Sequence, residues 1–221
     1  MDIKNQLLTL IDQADAAGGF TDETFAELTA LVDELRSQTP VPAPMDALEK
    51  VEGLWETVFA HFGAKHSAGK PKVHDSNLKV QSFNAFPPSP IRVLNICQEI
   101  SRVESAYNNV IDFVAADGVT MGIIVVHGRF REVPENRQRF AVDFYAVELR
   151  PVPDGDTAAL RAALDLDTNH ALHITLKPPR LYSDVVYLDD HHRVNTGSLG
   201  GLYVLRRVSD RSPRSIVSSN R

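Results

Sequence analysis

The residue types that perform catalysis are present in this chain, but not in the spacings that catalysis requires. Gly197-Ser198-Leu199-Gly200 places a serine in a Gly-rich turn, yet without the flanking glycines of a Gly-x-Ser-x-Gly nucleophile elbow. No helical pattern follows that turn, so its amides are not set to cradle a phosphate. Cys97 is the only cysteine and lies in an apolar run, where burial keeps a thiol protonated and inert. Histidines recur at 170 and 173 and as the adjacent pair 191–192. Metal ligation needs convergent donors on rigid elements. His170 sits in a turn-forming Asp-Thr-Asn-His run, and adjacent histidines on an extended chain point to opposite sides. We therefore expect no catalytic residue, no bound metal and no cofactor. His61 and His127 interrupt strand patterns and read as polar lining or edge positions.

Charged residues within strand patterns are the more informative group. Asp184 shares a face with Val186 and Leu188, and Asp143 shares one with Tyr145 and Val147. Pointing inward, the two would form a polar spot in an apolar cavity, the usual way a pocket orients its ligand. Pointing outward, they would simply be solvated, and the sequence leaves both readings open. Asp189 and Arg193 flank a connection between two strands, where a bidentate pair would fix the turn. The functional alternative is that Arg193 binds the acidic head of an amphiphile.

The elements that must position these residues follow from periodicity. Ile3, Leu7, Leu10, Ile11 and Ala14 form one helical stripe ended by Gly18-Gly19. Thr21 is a natural N-cap, and Phe25, Leu28, Leu31, Val32 and Leu35 form a second stripe. The two predict an antiparallel helical hairpin over 1–39, buried against the rest of the chain. Pro40, Pro42 and Pro44 make a stiff link, after which Met45–Val51 predicts a turn or two of helix. From Gly53 the period becomes two. Strands are expected at Gly53–Phe62, Ile91–Ser101, Ala106–Ala115, Val119–Glu132, Arg137–Leu149, Ala171–Leu176, Leu181–Leu188 and Gly201–Val208, with a short helix at Thr157–Leu166. Gly63–Pro90 reads as a long loop, Asp117-Gly118 as a hairpin turn, and 209–221 as a flexible tail. About eight strands on short turns imply a barrel or a sandwich. An eight-stranded barrel has room inside for packed side chains or one small ligand.

Composition narrows the partners. The 221 residues are 43% hydrophobic and 24% charged, with a formal net charge of −6. Residues 1–50 hold ten acidic against three basic side chains, so the hairpin would repel phosphate backbones, and no nucleic-acid partner is expected. A lone cysteine fits a reducing compartment. The start is acidic and helical, unlike a secretory or transit signal, which points to a cytoplasmic protein or to one whose targeting segment has been removed.

Three segments in order carry a family resemblance spanning roughly residues 35–208. The first is Thr39-Pro40-Val41-Pro42, Leu48 and Gly53-Leu54-Trp55. The second is Ile96-Cys97-Gln98 with Asn109-Val110-Ile111. The third is Tyr187-Leu188-Asp189, Arg193, Gly197 and Tyr203-Val204-Leu205. Together they resemble the plastid-lipid-associated protein/fibrillin family. The resemblance implies a mainly β (α+β) fold, a lipocalin-like antiparallel barrel over 45–208 preceded by the helices. It implies a non-enzymatic protein that binds or sequesters a lipid, isoprenoid, carotenoid or quinone. The cavity candidates are Trp55, Gln98, Phe140, Phe144, Asp143, Asp184, Tyr187, Arg193 and Tyr203. It also implies peripheral contact with a photosynthetic membrane, in the plastid stroma or at plastoglobules where a transit peptide has been removed. The alternative is an interaction module with a filled barrel, docking an enzyme or a membrane-assembly partner through its helices.

Overall fold

The computed structural model describes residues 2–61, 79–80, 85–177 and 180–209. The two apolar stripes become α1 (Ile3–Ala16) and α2 (Asp22–Arg36), packed as a hairpin. Thr21 caps α2 as its type dictates, accepting from the Thr24 amide while Thr24 reaches back. A 3₁₀ turn at Pro44–Asp46 and a single helical turn, α3 (Leu48–Val51), follow the proline link.

The period-two region forms β1 (Gly53–His61), β2 (Lys79–Val80), β3 (Ser89–Ser101), β4 (Ala106–Ala115), β5 (Met121–Glu132), β6 (Arg139–Pro151), β7 (His173–Thr175), β8 (Arg180–Leu188), β9 (His192–Gly197) and β10 (Leu202–Ser209). A short helix, α4 (Thr157–Ala163), separates β6 from β7. All pairings are antiparallel in the order β1-β10-β9-β8-β6-β5-β4-β3. β3 then returns to β1, from Gly53 opposite Ile100 to Glu56 opposite Cys97, and this closes a ring of eight strands. β2 touches only the start of β3, and β7 lies along β6.

The expected barrel is therefore present, with one exchange of members. Ala171–Leu176 contributes only the short β7, outside the ring, while β9, which the sequence reading took for a connection, is a full staple between β8 and β10. The Asp117-Gly118 turn joins β4 to β5, with Gly118 at φ 74° and Ala115 bonded to Thr120. Most of the expected 63–90 loop and of the 209–221 tail falls outside the described residues.

Alternation sends each strand's side chains to two separate cores. The hairpin covers the outer wall: Leu7, Ile11, Leu28, Val32 and Leu35 pack on Phe59, Val186, Val194 and Val204. The inner core gathers Trp55, Ile100, Tyr107, Phe113, Val126, Phe140, Val147, Val185 and Leu205, with Leu160 of α4 and Leu164 at its end closing over one end. Among the described residues every ring strand supplies this inner core except β9.

Candidate ligand-binding interior

β9 is absent from the inner core because its inward positions are polar. Val194 turns outward under the hairpin, so Arg193 and Asn195 must turn inward. The ladder sets their neighbours. Arg193 lies opposite Leu205, which lies opposite Thr57; Asn195 lies opposite Tyr203; Gln98 pairs with both Trp55 and Asn109. Arg193, Gln98, Asn195 and Thr57 are all buried, Arg193 completely.

Arg193 donates from Nη2 to Gln98 Oε1 at 2.5 Å, and its guanidinium carbon sits 4.8 Å from the centre of the Trp55 ring. Arg207 stacks on the same indole at 4.1 Å. Two stacked cations use the indole well. Only Arg207 is otherwise satisfied: it donates to the Asp190, Glu52 and Lys50 carbonyls. With Trp55 Nε1 donating to the Val51 carbonyl at 2.8 Å, this knot seals one barrel end beneath α3. Gly53, opening β1 at φ 124°, takes a backbone conformation that side-chain-bearing residues rarely adopt.

The remaining polar groups form an unsatisfied patch. Arg193 Nε and Nη1, both amide atoms of Asn195, Thr57 Oγ1 and Asn109 Oδ1 are buried and have no hydrogen-bond partner among the described residues. Nor does any carboxylate among them form an ion pair with Arg193. Buried polar groups are nearly always paired, and a buried charge without a counter-ion is costly. Burial lowers the Arg193 guanidinium to about 10, with Tyr107 opposing that shift. The same dry setting pushes the Tyr203 hydroxyl up to about 12 and raises Tyr107 too.

Across the interior stands an aromatic wall. Tyr107 lies 5.5 Å from Phe140 and 6.1 Å from Phe144, and Phe130 meets Phe140 edge-on at 6.1 Å. Tyr203 lies against the closing turn: a Cβ on Gly201 would come within 2.6 Å of its hydroxyl, so that position is kept to glycine. The interior thus joins a cationic, hydrogen-bonding side to an apolar one. Such a surface suits an amphiphile.

Of the sequence candidates, Trp55, Gln98, Phe140, Phe144, Arg193 and Tyr203 converge on this interior. Asp143, Asp184 and Tyr187 do not. Asp184 forms a two-pronged pair with Arg139 at 2.7 and 2.8 Å, and Asp143 accepts from Arg131 at 2.9 Å, both on the outer wall. Between the two readings left open for these aspartates, the outward one holds, because Ser183 and Val185 take the inward phase of β8. Tyr187 lies beneath the hairpin and donates to Asp189. The expected Asp189–Arg193 pair is also replaced. Asp189 instead holds Lys4 at 2.7 Å and accepts from the His191 and His192 amides, which ties α1 to the turn. Despite partial burial, these bonds hold its carboxyl well below the usual range. Asn195, Thr57, Asn109 and Arg207 were not anticipated. The visible trace of Asn195 was its phase, two residues from Arg193 around an outward valine. Cys97 is buried outside the interior with Val110, Ile123 and Val125, and burial raises its thiol to about 11.

The family PAP_fibrillin matches residues 1–206. The chain belongs to that family. The match covers the helical hairpin as well as the barrel, a longer span than the motifs alone indicated, and it agrees with the hairpin and barrel sharing a core. The chain is similar to a chromoplast-specific carotenoid-associated protein of Cucumis sativus, 25% identical over 217 residues and covering 83% of this chain. It spans 60% of that relative's length. No solved structure matches.

Proposed function

We propose that this PAP/fibrillin protein is a non-enzymatic binder of a single amphipathic, largely hydrophobic molecule, held inside the barrel with its polar end at Arg193. The observation that carries this reading is a fully buried guanidinium with two unpaired donor groups, facing an aromatic wall. An anionic or strongly hydrogen-bonding head group would accept from Arg193 Nε and Nη1 and from the Asn195 amide. Its apolar body would lie against Phe140, Phe144 and Tyr107. Removing apolar surface from water supplies about 25 cal/mol per Å² before ordering costs. The carotenoid association in the similar protein's name supports an apolar ligand class. No helix among the described residues is long and apolar enough to cross a membrane.

The test is native mass spectrometry of the purified protein, followed by solvent extraction and identification of what is released. A co-purifying amphiphile at one per chain is the expected result. A protein that carries nothing, and takes up no member of a fatty-acid, quinone and carotenoid panel, would overturn the reading in favour of a scaffold with a filled barrel.

A further inference from the structure

On the outer wall, away from the interior and the hairpin, three side chains of metal-ligating type converge. His127 lies on β5, Glu148 on β6 and His173 at the head of β7. One ligand atom from each lies within 4.8 Å of the others. The geometry points to a divalent transition-metal site of two imidazoles and one carboxylate. We propose Zn²⁺ as the ion it takes.

The sheet assembles this cluster by register. Glu148 and His173 are direct cross-strand partners, so their side chains leave the same face. His127 pairs with Ala146, one strand over, at a break in register between His127 and Gly128. The extra residue is Tyr145 on β6, because Gly128 lies opposite Phe144; the bulge shifts the phase of β6, so that Val147 and Leu149 turn inward and Glu148 outward. His127, outward by the alternation of β5, places its Nε2 3.1 Å from Glu148 Oε2. The two imidazole rings stand 5.9 Å apart and are tilted by 39°. Ligand atoms around a tetrahedral zinc lie about 3.4 Å apart, so the His127–Glu148 edge is already at ligand spacing. His173 is exposed, while His127 is buried and Glu148 half-buried. The cluster therefore has a rigid floor and an open side, where water would complete the coordination.

The chemistry of the donors agrees. Neutral imidazole and carboxylate suit zinc better than the all-oxygen cages of calcium or magnesium. Glu148 supplies a carboxylate oxygen, and His127 and His173 each an imidazole nitrogen. A hydrogen bond between His127 and Glu148 alone needs no third group. The added feature is β7, a strand of three residues whose first residue is His173. A bound ion would clip that short strand to the sheet.

The experiment is calorimetric titration of the untagged full chain with ZnCl₂, paired with the visible spectrum of the Co²⁺ form. One equivalent should bind, and cobalt should give the intense absorption of a four-coordinate site. His173→Ala, at an exposed position, should fold as the parent does by circular dichroism yet lose about tenfold or more in affinity, as should Glu148→Gln. His191→Ala should bind like the parent. Unchanged affinity in His173→Ala, loss in His191→Ala, or no binding by the parent would each overturn the proposal. None of these outcomes bears on the barrel interior.

Discussion

Replacing Arg193 with methionine should leave the fold about as stable as before, while abolishing recognition of the ligand's head group. In most cores, truncating a wholly buried side chain costs several kcal/mol. Arg193 differs because its charge is already poorly accommodated. Its ordinary value of 12.5 falls to about 10 in the fold, which corresponds to about 3 kcal/mol against the charged form. Methionine removes that burden and refills most of the volume. The substitution also leaves Gln98 Oε1 without its donor, at about 1–3 kcal/mol, and gives up a stacking contact with Trp55 of about 1 kcal/mol. The balance falls within about 1 kcal/mol of zero in either direction, or about 2–4 °C in the thermal midpoint for a chain of this size. Urea unfolding of the ligand-free protein reads the first effect. Competition between a long-chain fatty acid and its methyl ester reads the second: the parent should prefer the acid, and R193M should not discriminate. A loss of more than about 3 kcal/mol in R193M would show that the guanidinium is a satisfied structural group, and the argument from unpaired donors would fail.

Other perturbations test the supporting framework. Leu28 is fully buried between the hairpin and the barrel, so Leu28→Ala should cost about 2–5 kcal/mol in urea; a loss under 1 would mean that the helices are not docked as described. A Cβ at Gly122 would lie 2.4 Å from Phe113 Cζ and 2.9 Å from Leu160 Cδ1, and Gly122→Ala should cost about 1–3 kcal/mol, measured by thermal denaturation. Asp189 is held ionised by Lys4, Tyr187 and two amides, so its depressed value stabilises the fold above the unfolded carboxylate's pKa of about 3.9. That contribution should be withdrawn as pH falls below about 4. Asp189→Asn should cost about 1.5–3 kcal/mol at pH 7 and flatten the acid limb of the stability curve; a variant with an unchanged acid limb would refute the linkage.

The architecture was legible because its signals are local. Two apolar stripes with Gly18-Gly19 and Thr21 between them can only be a helical hairpin, and alternation after Gly53 can only be sheet. The site was less legible, for the same reason that makes it a site. A strand announces itself by apolar residues on its core face, and β9 places Arg193 and Asn195 there instead. Its reversed polarity made it look like a connection. The aspartates misled in the opposite sense. Asp184 does share a phase with Val186 and Leu188, but the register break between Val185 and Tyr187 separates them, so that Leu188 turns inward and Val186 outward. A bulge shifts phase by one residue and leaves no mark in composition. Arg193 and Asp189 were paired on sequence proximity, whereas the turn geometry sends one into the barrel and the other to Lys4 on α1.

The central claim, that an amphiphile enters the barrel and meets Arg193, is tested most directly through Trp55, the chain's only tryptophan, which the guanidinium stacks upon. Titration with a fatty acid bearing a nitroxide near its carboxyl end should quench Trp55 emission saturably at one equivalent, with recovery on adding the unlabelled acid. Emission that stays constant up to the solubility limit, or quenching that never saturates, would contradict it.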